Sequence, residues 1–281
     1  MPTAEWAAAI VSRRSTRSFE PVPLPKAALD HLQGFCASLP GQDTARLVVV
    51  PELPPGVFTG VVGSYGKIQG ARSALLVVGR ESRPGLQESA GYLGEAAILE
   101  ATAHEWATCW IGGFFDRKVV QHAVSLDADE RVLAVVPLGQ ATRQPRTGER
   151  VFKRILGAHK RRPLEETATG FDEDSWPAWA AEGVRLARVA PSAVNRQPWQ
   201  FRLEPEATIL PSNGVASGAL IVSVVERGLE GGISRRLDCG IAMLHFEVGA
   251  RLMGAVGRWE MLQEPDVARY RVAASAASAR D

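Results

Sequence analysis

Residues 94–110 read GEAAILEATAHEWATCW, and residues 240–256 read GIAMLHFEVGARLMGAV. Both open on glycine, carry alanine and large aliphatics around most of a helical circumference, and run close to a tryptophan, Trp110 or Trp259. A helix that is apolar on nearly every side belongs at the centre of a domain. We therefore expect long buried helices over 91–110 and 238–253. The segments ahead of them repeat as well. Before the first, residues 26–38 set Leu29, Leu32, Phe35 and Cys36 at helical spacing, and Pro40-Gly41 ends the pattern. Residues 47–50 and 75–78 are short aliphatic runs that read as strands, as does 132–136. Before the second come a helix at 180–189 and strands at 201–203 and 219–225. The recurrence predicts an internal duplication with its junction near 150–175.

The chain has 281 residues, 46% hydrophobic and 22% charged, with 32 Lys+Arg against 31 Asp+Glu. This is globular composition, long enough for one large core or two small ones. A formal charge of +1 argues against a dedicated nucleic-acid or polyanion binder. No apolar run approaches the roughly 18 residues a membrane span needs. The start, MPTAEWAAAIVSRRS, places its basic residues after the apolar stretch, the reverse of a secretory signal. There Thr3 is expected to cap a helix through 7–11. Cys36, Cys109 and Cys239 are far apart and odd in number, which suits neither a disulfide framework nor a zinc site. A cytoplasmic protein is expected.

Familiar catalytic motifs fail one after another. No GxGxxG or GxxxxGK[ST] follows a strand, and no GxSxG occurs. His104-Glu105 continues as Trp-Ala-Thr and so is not a zincin motif. Asp172-Glu173-Asp174 reads as a solvated or capping acidic run, and Cys109, at the end of an apolar helix, as a packed thiol. Two segments remain. Arg13-Arg14-Ser15-Thr16-Arg17-Ser18-Phe19 gathers three guanidiniums and three hydroxyls, groups that match phosphate oxygens. By itself it reads more readily as a solvated basic turn. Ala190-Pro191-Ser192-Ala193-Val194-Asn195-Arg196-Gln197-Pro198-Trp199 is a proline-stiffened turn projecting a hydroxyl and two amides. It suits a flat, polar-edged ligand, or a rigid connector to the next strand.

Together the two segments resemble the nitroreductase family of FMN-dependent oxidoreductases, which opens on an RRSxRxF-type motif and carries an APSxxNxQPW-type loop. Cys109-Trp110-Ile111-Gly112-Gly113-Phe114 also resembles that family's flavin-contacting glycine turn. Typical members place the Pro-Ser loop after one helix, and two identical subunits share each flavin. Here the early position reads Ser38-Leu39-Pro40-Gly41-Gln42-Asp43, and the loop arrives only after the second copy of the pattern. The chain is thus similar to the fused, duplicated branch, the TM nitroreductase group.

The resemblance implies an α+β, three-layer α/β/α sandwich. Its two halves, 1–150 and 151–281, would form a pseudo-dimer with one composite FMN site, and the chain would be a monomer. Arg13, Arg14, Ser15 and Arg17 would hold the phosphate and ribityl chain. Pro191, Ser192 and Asn195 would cover the flavin, with Gln197 adjacent. Ser64 and Lys67 would lie near the pyrimidine edge, although a loop lysine is more often simply solvated. Ile111, Gly112 and Gly113 would bring amides toward N5. Arg162, in Lys160-Arg161-Arg162-Pro163-Leu164-Glu165, would finish the phosphate site behind an insertion-like stretch at 147–159. NAD(P)H and a nitroaromatic, quinone or unknown acceptor would be the partners, without metal or catalytic side-chain nucleophile. Substrate choice would lie in the loops 51–62, 80–89 and 211–218. The competing reading is a flavin-binding sensor or carrier without turnover.

Overall fold

The computed structural model describes residues 1–58, 67–143, 160–204, 217–227 and 232–272. Ser64, the stretch 147–159 and most of the loop 211–218 lie outside them. The chain begins with α1 (Thr3–Ser12) and α2 (Lys26–Ser38), followed by β1 (Ala45–Val50) and β2 (Ser73–Arg80). The buried helix α3 (Leu86–Ala103) leads into β3 (Ala107–Thr108), the short helix α4 (Arg117–Gln121) and β4 (Glu130–Gly139). Then come α5 (Leu164–Thr167), β5 (Ala168–Thr169), α6 (Ala178–Arg188), β6 (Trp199–Leu203) and β7 (Gly218–Val224). The second buried helix α7 (Arg235–Leu252) precedes β8 (Gly257–Met261) and β9 (Asp266–Val272).

These strands make two sheets, ordered β1-β2-β4-β3 and β5-β6-β7-β9-β8. All pairings are antiparallel except β5 with β6. With β5 set aside, the second sheet repeats the order of the first. The central helix follows the second strand in each sheet, α3 after β2 and α7 after β7. Even the irregularities agree. The β2–β4 ladder shifts register at Val77/Val78 and the β7–β9 ladder at Val222/Ser223, after the fifth residue of β2 and of β7. An antiparallel α+β architecture of this kind has no place for a Rossmann crossover.

The centre is made by α3 and α7 packed against each other, as helices buried nearly all round must be. Leu93–Ala101 and Leu237–Ala250 are buried without interruption. Two glycines set the crossing. A Cβ on Gly91 would lie 2.0 Å from the Leu237 carbonyl oxygen, and one on Gly240 would lie 2.1 Å from the Glu88 carbonyl oxygen. The contact is reciprocal and backbone-to-backbone. It pairs Gly240 with Gly91, whereas the matched sequences above set Gly240 opposite Gly94, which instead abuts the Trp110 ring.

Buried polar groups cross the same seam in matched pairs. Tyr92 of α3 donates to Glu247 of α7 at 2.7 Å, and Arg236 of α7 pairs with Glu88 of α3. Glu95 Oε1 lies 2.8 Å from His245 Nε2, and both side chains are fully buried. Groups this deep must be hydrogen-bonded to be tolerated.

Two expectations need correction. The first helix starts at Thr3 itself, with Pro2 in the cap position, so Thr3 is not its cap. The central helix ends at Ala103, not Trp110, because His104 leaves helical geometry and Glu105 turns left-handed at φ 61°. Cys109 therefore follows β3 and is no helix-end thiol, though it is buried.

Candidate functional site

Arg13 follows the last residue of α1, where the backbone extends (φ −52°, ψ 134°) and its amide donates to Ala9 O at 2.8 Å. The extended run then docks on two neighbours. Ser15 bridges Thr108, and Thr16 N donates to Thr108 O at 2.9 Å. Gln69 N donates to Arg17 O, and Phe19 N to Gln69 O, each at 2.9 Å. The motif is thereby tied on one side to the strand leading to the 111–113 turn, and on the other to the segment that carries Lys67. Lys67 itself is exposed and lines an open cleft with Pro54, Pro55, Val57 and Phe58, within the first of the expected specificity loops.

Arg13 is buried, 8% exposed, beside Glu95 Oε1 at 3.7 Å, and its Nε lacks a hydrogen-bond partner. Glu95 is pinned by Trp110 Nε1 at 2.6 Å and by His245. Arg14 is exposed and turns its guanidinium onto the Val11 and Arg13 carbonyls.

The second segment meets this one through Arg161. Burial lowers the pKa of the Arg161 guanidinium, and the positive charges of Arg13, Arg188 and Arg14 lower it further. Four guanidiniums from distant parts of the chain thus share one field. Arg161 Nη1 donates to Asn195 Oδ1 at 3.0 Å and Nη2 to Val189 O at 3.3 Å. Arg162 points elsewhere, donating to Glu166 Oε2 at 2.8 Å. The arginine of this pair that joins Arg13 and Arg14 is Arg161, a residue that sequence reasoning passed over together with Arg188, Glu95 and His245.

The Pro-Ser loop is held in costly geometry. Val194, Asn195 and Gln197 all have positive φ, at 46°, 57° and 49°. Such backbone is sparsely populated for non-glycine residues and persists only where surroundings enforce it. The enforcement is visible. Ser192 Oγ accepts from Gln197 N at 2.9 Å, Gln197 Oε1 accepts from Arg162 N at 3.0 Å, and Asn195 Nδ2 donates to Lys160 O at 3.0 Å. Beneath the loop, Arg196 Nε donates to Asp238 Oδ2 at 2.7 Å, and Ala193 N to Asp238 Oδ1 at 3.1 Å. Burial pushes the Asp238 carboxyl up to about 6 against the pull of Arg196. Pro191 is buried at the loop's entry.

The glycine turn reaches the same place. Arg196 Nη2 donates to Ile233 O at 2.8 Å, and a Cβ on Gly112 would lie 2.9 Å from the Ile233 side chain. Ile111 is less available than expected. Its N–H donates to Val135 O at 3.0 Å, which leaves the Gly112 and Gly113 amides as candidates for a ligand. The structure therefore gathers Arg13, Arg14, Asn195 and Arg161 at one locus and links the 111–113 turn to the Pro-Ser loop through Ile233.

An arginine cluster with an orphaned buried Nε is chemically suited to an anion of more than one charge, such as a phosphate monoester. The rigid turn beside it can present amides to a flat polar ligand. These residues fit the phosphate of FMN.

The family described as "Putative TM nitroreductase" matches residues 5–250. Among solved structures, a putative nitroreductase from Thermotoga maritima is similar at 22% identity and TM-score 0.59, with 95% of this chain and 93% of that one covered. A nitroreductase with bound FMN from Bacteroides fragilis is similar at 16% identity and TM-score 0.41, over 50% of this chain and 91% of its own. A nitroreductase family protein from Clostridium difficile gives 20% identity and TM-score 0.40, over 57% and 94%. No curated protein matches.

Proposed function

Because the chain belongs to the TM nitroreductase family, we propose that it is an FMN-dependent NAD(P)H oxidoreductase with one composite flavin site per chain. The observation that carries this reading is the place of Arg161, bonded to Asn195 of the Pro-Ser loop and within the field of Arg13, Arg188 and Arg14. Arg13 and Arg161 would hold the phosphate as paired, partly buried cations, with Arg14 and Arg188 strengthening the field. Asn195 is oriented by Arg161, so phosphate binding and the Pro-Ser loop are mechanically linked. Gly112, packed beside the Ile233 side chain, permits close backbone approach to a ring. Lys67, if it reaches the ring, would stabilise negative charge there.

FMN, when bound, supplies ping-pong hydride transfer from NAD(P)H to an acceptor such as a nitroaromatic or quinone. The chain's own task is then binding, orientation and electrostatics. The halves 1–150 and 151–281 would act as a pseudo-dimer, a reading supported by the repeated sheet order and the reciprocal glycine crossing.

Protein loaded with FMN and mixed anaerobically with NADH or NADPH tests the activity. Bleaching of the flavin absorbance by either nucleotide, and its return on adding a quinone, is expected. Bound flavin that neither nucleotide bleaches would replace this reading with that of a flavin carrier.

A further inference from the structure

Away from the arginine cluster, His31 from the middle of α2 meets Glu100 and the C-cap residue His104 at the C-terminal end of α3. One ligand atom from each lies within 4.8 Å of the other two. His31 Nε2 is 2.8 Å from Glu100 Oε1, and His104 Nδ1 is 3.8 Å from that same oxygen. The carboxylate is built in: its side chain is only 9% exposed, and its second oxygen accepts from Trp6 Nε1 at 3.1 Å. The imidazoles are half exposed, at 45% and 43%, and His104 stacks on Trp106 with ring centroids 4.9 Å apart. The proposed flavin chemistry uses none of these groups.

The geometry points to a binding site for a divalent zinc-class ion, held by His31, Glu100 and His104 and completed by water. Two imidazoles and one carboxylate are a donor set such ions take. Zinc–nitrogen and zinc–oxygen distances near 2.0–2.1 Å put neighbouring ligand atoms of a tetrahedron about 3.3 Å apart. The observed 2.8 and 3.8 Å bracket that spacing, and His104 takes up the ion by releasing its Nδ1 from the Glu100 backbone carbonyl, 3.0 Å away, at its exposed helix end. Trp6 fixes the carboxylate from behind, as an outer-shell donor does. Exposure on the imidazole side leaves an entry path and room for water. Bound there, the ion clips α2 to the C-terminal end of α3.

Calorimetric titration of the tag-free, full-length protein with Zn2+ tests the site, with Co2+ as a spectroscopic substitute. One Zn2+ per chain is expected, and Co2+ is expected to give visible ligand-field bands. His31→Ala and His104→Ala should each weaken Zn2+ binding by more than about 10-fold, the loss that removing even an outer-shell partner can cause. Both residues are half exposed, so folding should survive, and circular dichroism checks it. His122→Ala, an exposed histidine outside the cluster, should leave the affinity unchanged. Absence of binding by the folded protein, or binding that persists in both His31→Ala and His104→Ala, would overturn the assignment and leave His31 hydrogen-bonded to the Glu100 carboxylate and His104 to its backbone carbonyl.

Discussion

Gly240→Val is expected to prevent the chain from folding to a stable state. Overpacking a core by a methylene or two costs about 1–3 kcal/mol, because neighbouring side chains can turn aside. Here the obstacle is the Glu88 carbonyl oxygen, 2.1 Å from the position of the new Cβ, and the backbone of a packed helix cannot turn aside as a side chain can. α3 and α7 must separate. Separation takes the Gly91–Leu237 contact with it and opens the Glu95–His245 and Tyr92–Glu247 hydrogen bonds to mismatch. A loss of more than about 4 kcal/mol is expected, a large share of the about 5–15 kcal/mol by which an ordinary domain is stable. Gly34→Ala is the control. It sits exposed in α2 with nothing within 4 Å of its missing Cβ, and should gain about 0.5–1 kcal/mol through helix propensity. Urea unfolding midpoints and soluble yield measure both. A Gly240→Val protein with a midpoint near that of the parent would show that the helix crossing is not as described.

The second large effect concerns the arginines, and its two readouts should move in opposite directions. Arg161 is partly buried in the field of Arg13, Arg188 and Arg14, an arrangement that costs stability until an anion arrives. Arg161→Met keeps the side-chain bulk and removes the charge. The flavin-free variant is expected to melt at or above the parent temperature. Its FMN affinity should fall by about 10–100-fold, the worth of a hydrogen bond to a charged group. Inorganic phosphate should raise the melting temperature of the flavin-free parent, and do so less in the variant. Arg161 is a cleaner target than Arg13, whose loss would strand buried Glu95 without its nearest cation. Fluorescence titration with FMN and thermal melts report both quantities. Unchanged FMN affinity in Arg161→Met would remove Arg161 from the site.

The sequence was most informative where a single local rule governs. Residues 26–38 are helical as their spacing predicts, and each aliphatic run expected to be a strand lies within one, give or take a residue. β8 and β9 escaped because charges alternate through them, Arg258 and Glu260 in one, Arg269 and Arg271 in the other, leaving no apolar run to notice. The recurrence of two buried apolar helices was legible, but the register in which they meet was not. Setting Gly94 rather than Gly91 opposite Gly240 is an error of three residues, close to one helical turn, and an apolar pattern of period 3.6 hardly changes under such a shift.

The site divides the same way. Both motifs announced themselves through composition over a few residues. The choice of Arg161 over Arg162 depends on which guanidinium turns inward as the chain enters α5, and neighbouring letters do not encode that. Arg188 could have been found, since it stands in the last turn of α6 just ahead of the Pro-Ser loop. Glu95 and His245 look like polar interruptions in apolar helices until the helices are packed together.

The central claim is that one chain makes one flavin site from parts of both halves. The most direct test is to load the protein with FMN, remove the excess by gel filtration, and measure flavin per chain and molar mass on the same peak. The account predicts one FMN on a particle of 30.2 kDa, the mass of a single chain. Two FMN per chain, or one FMN shared by a tight dimer, would contradict it.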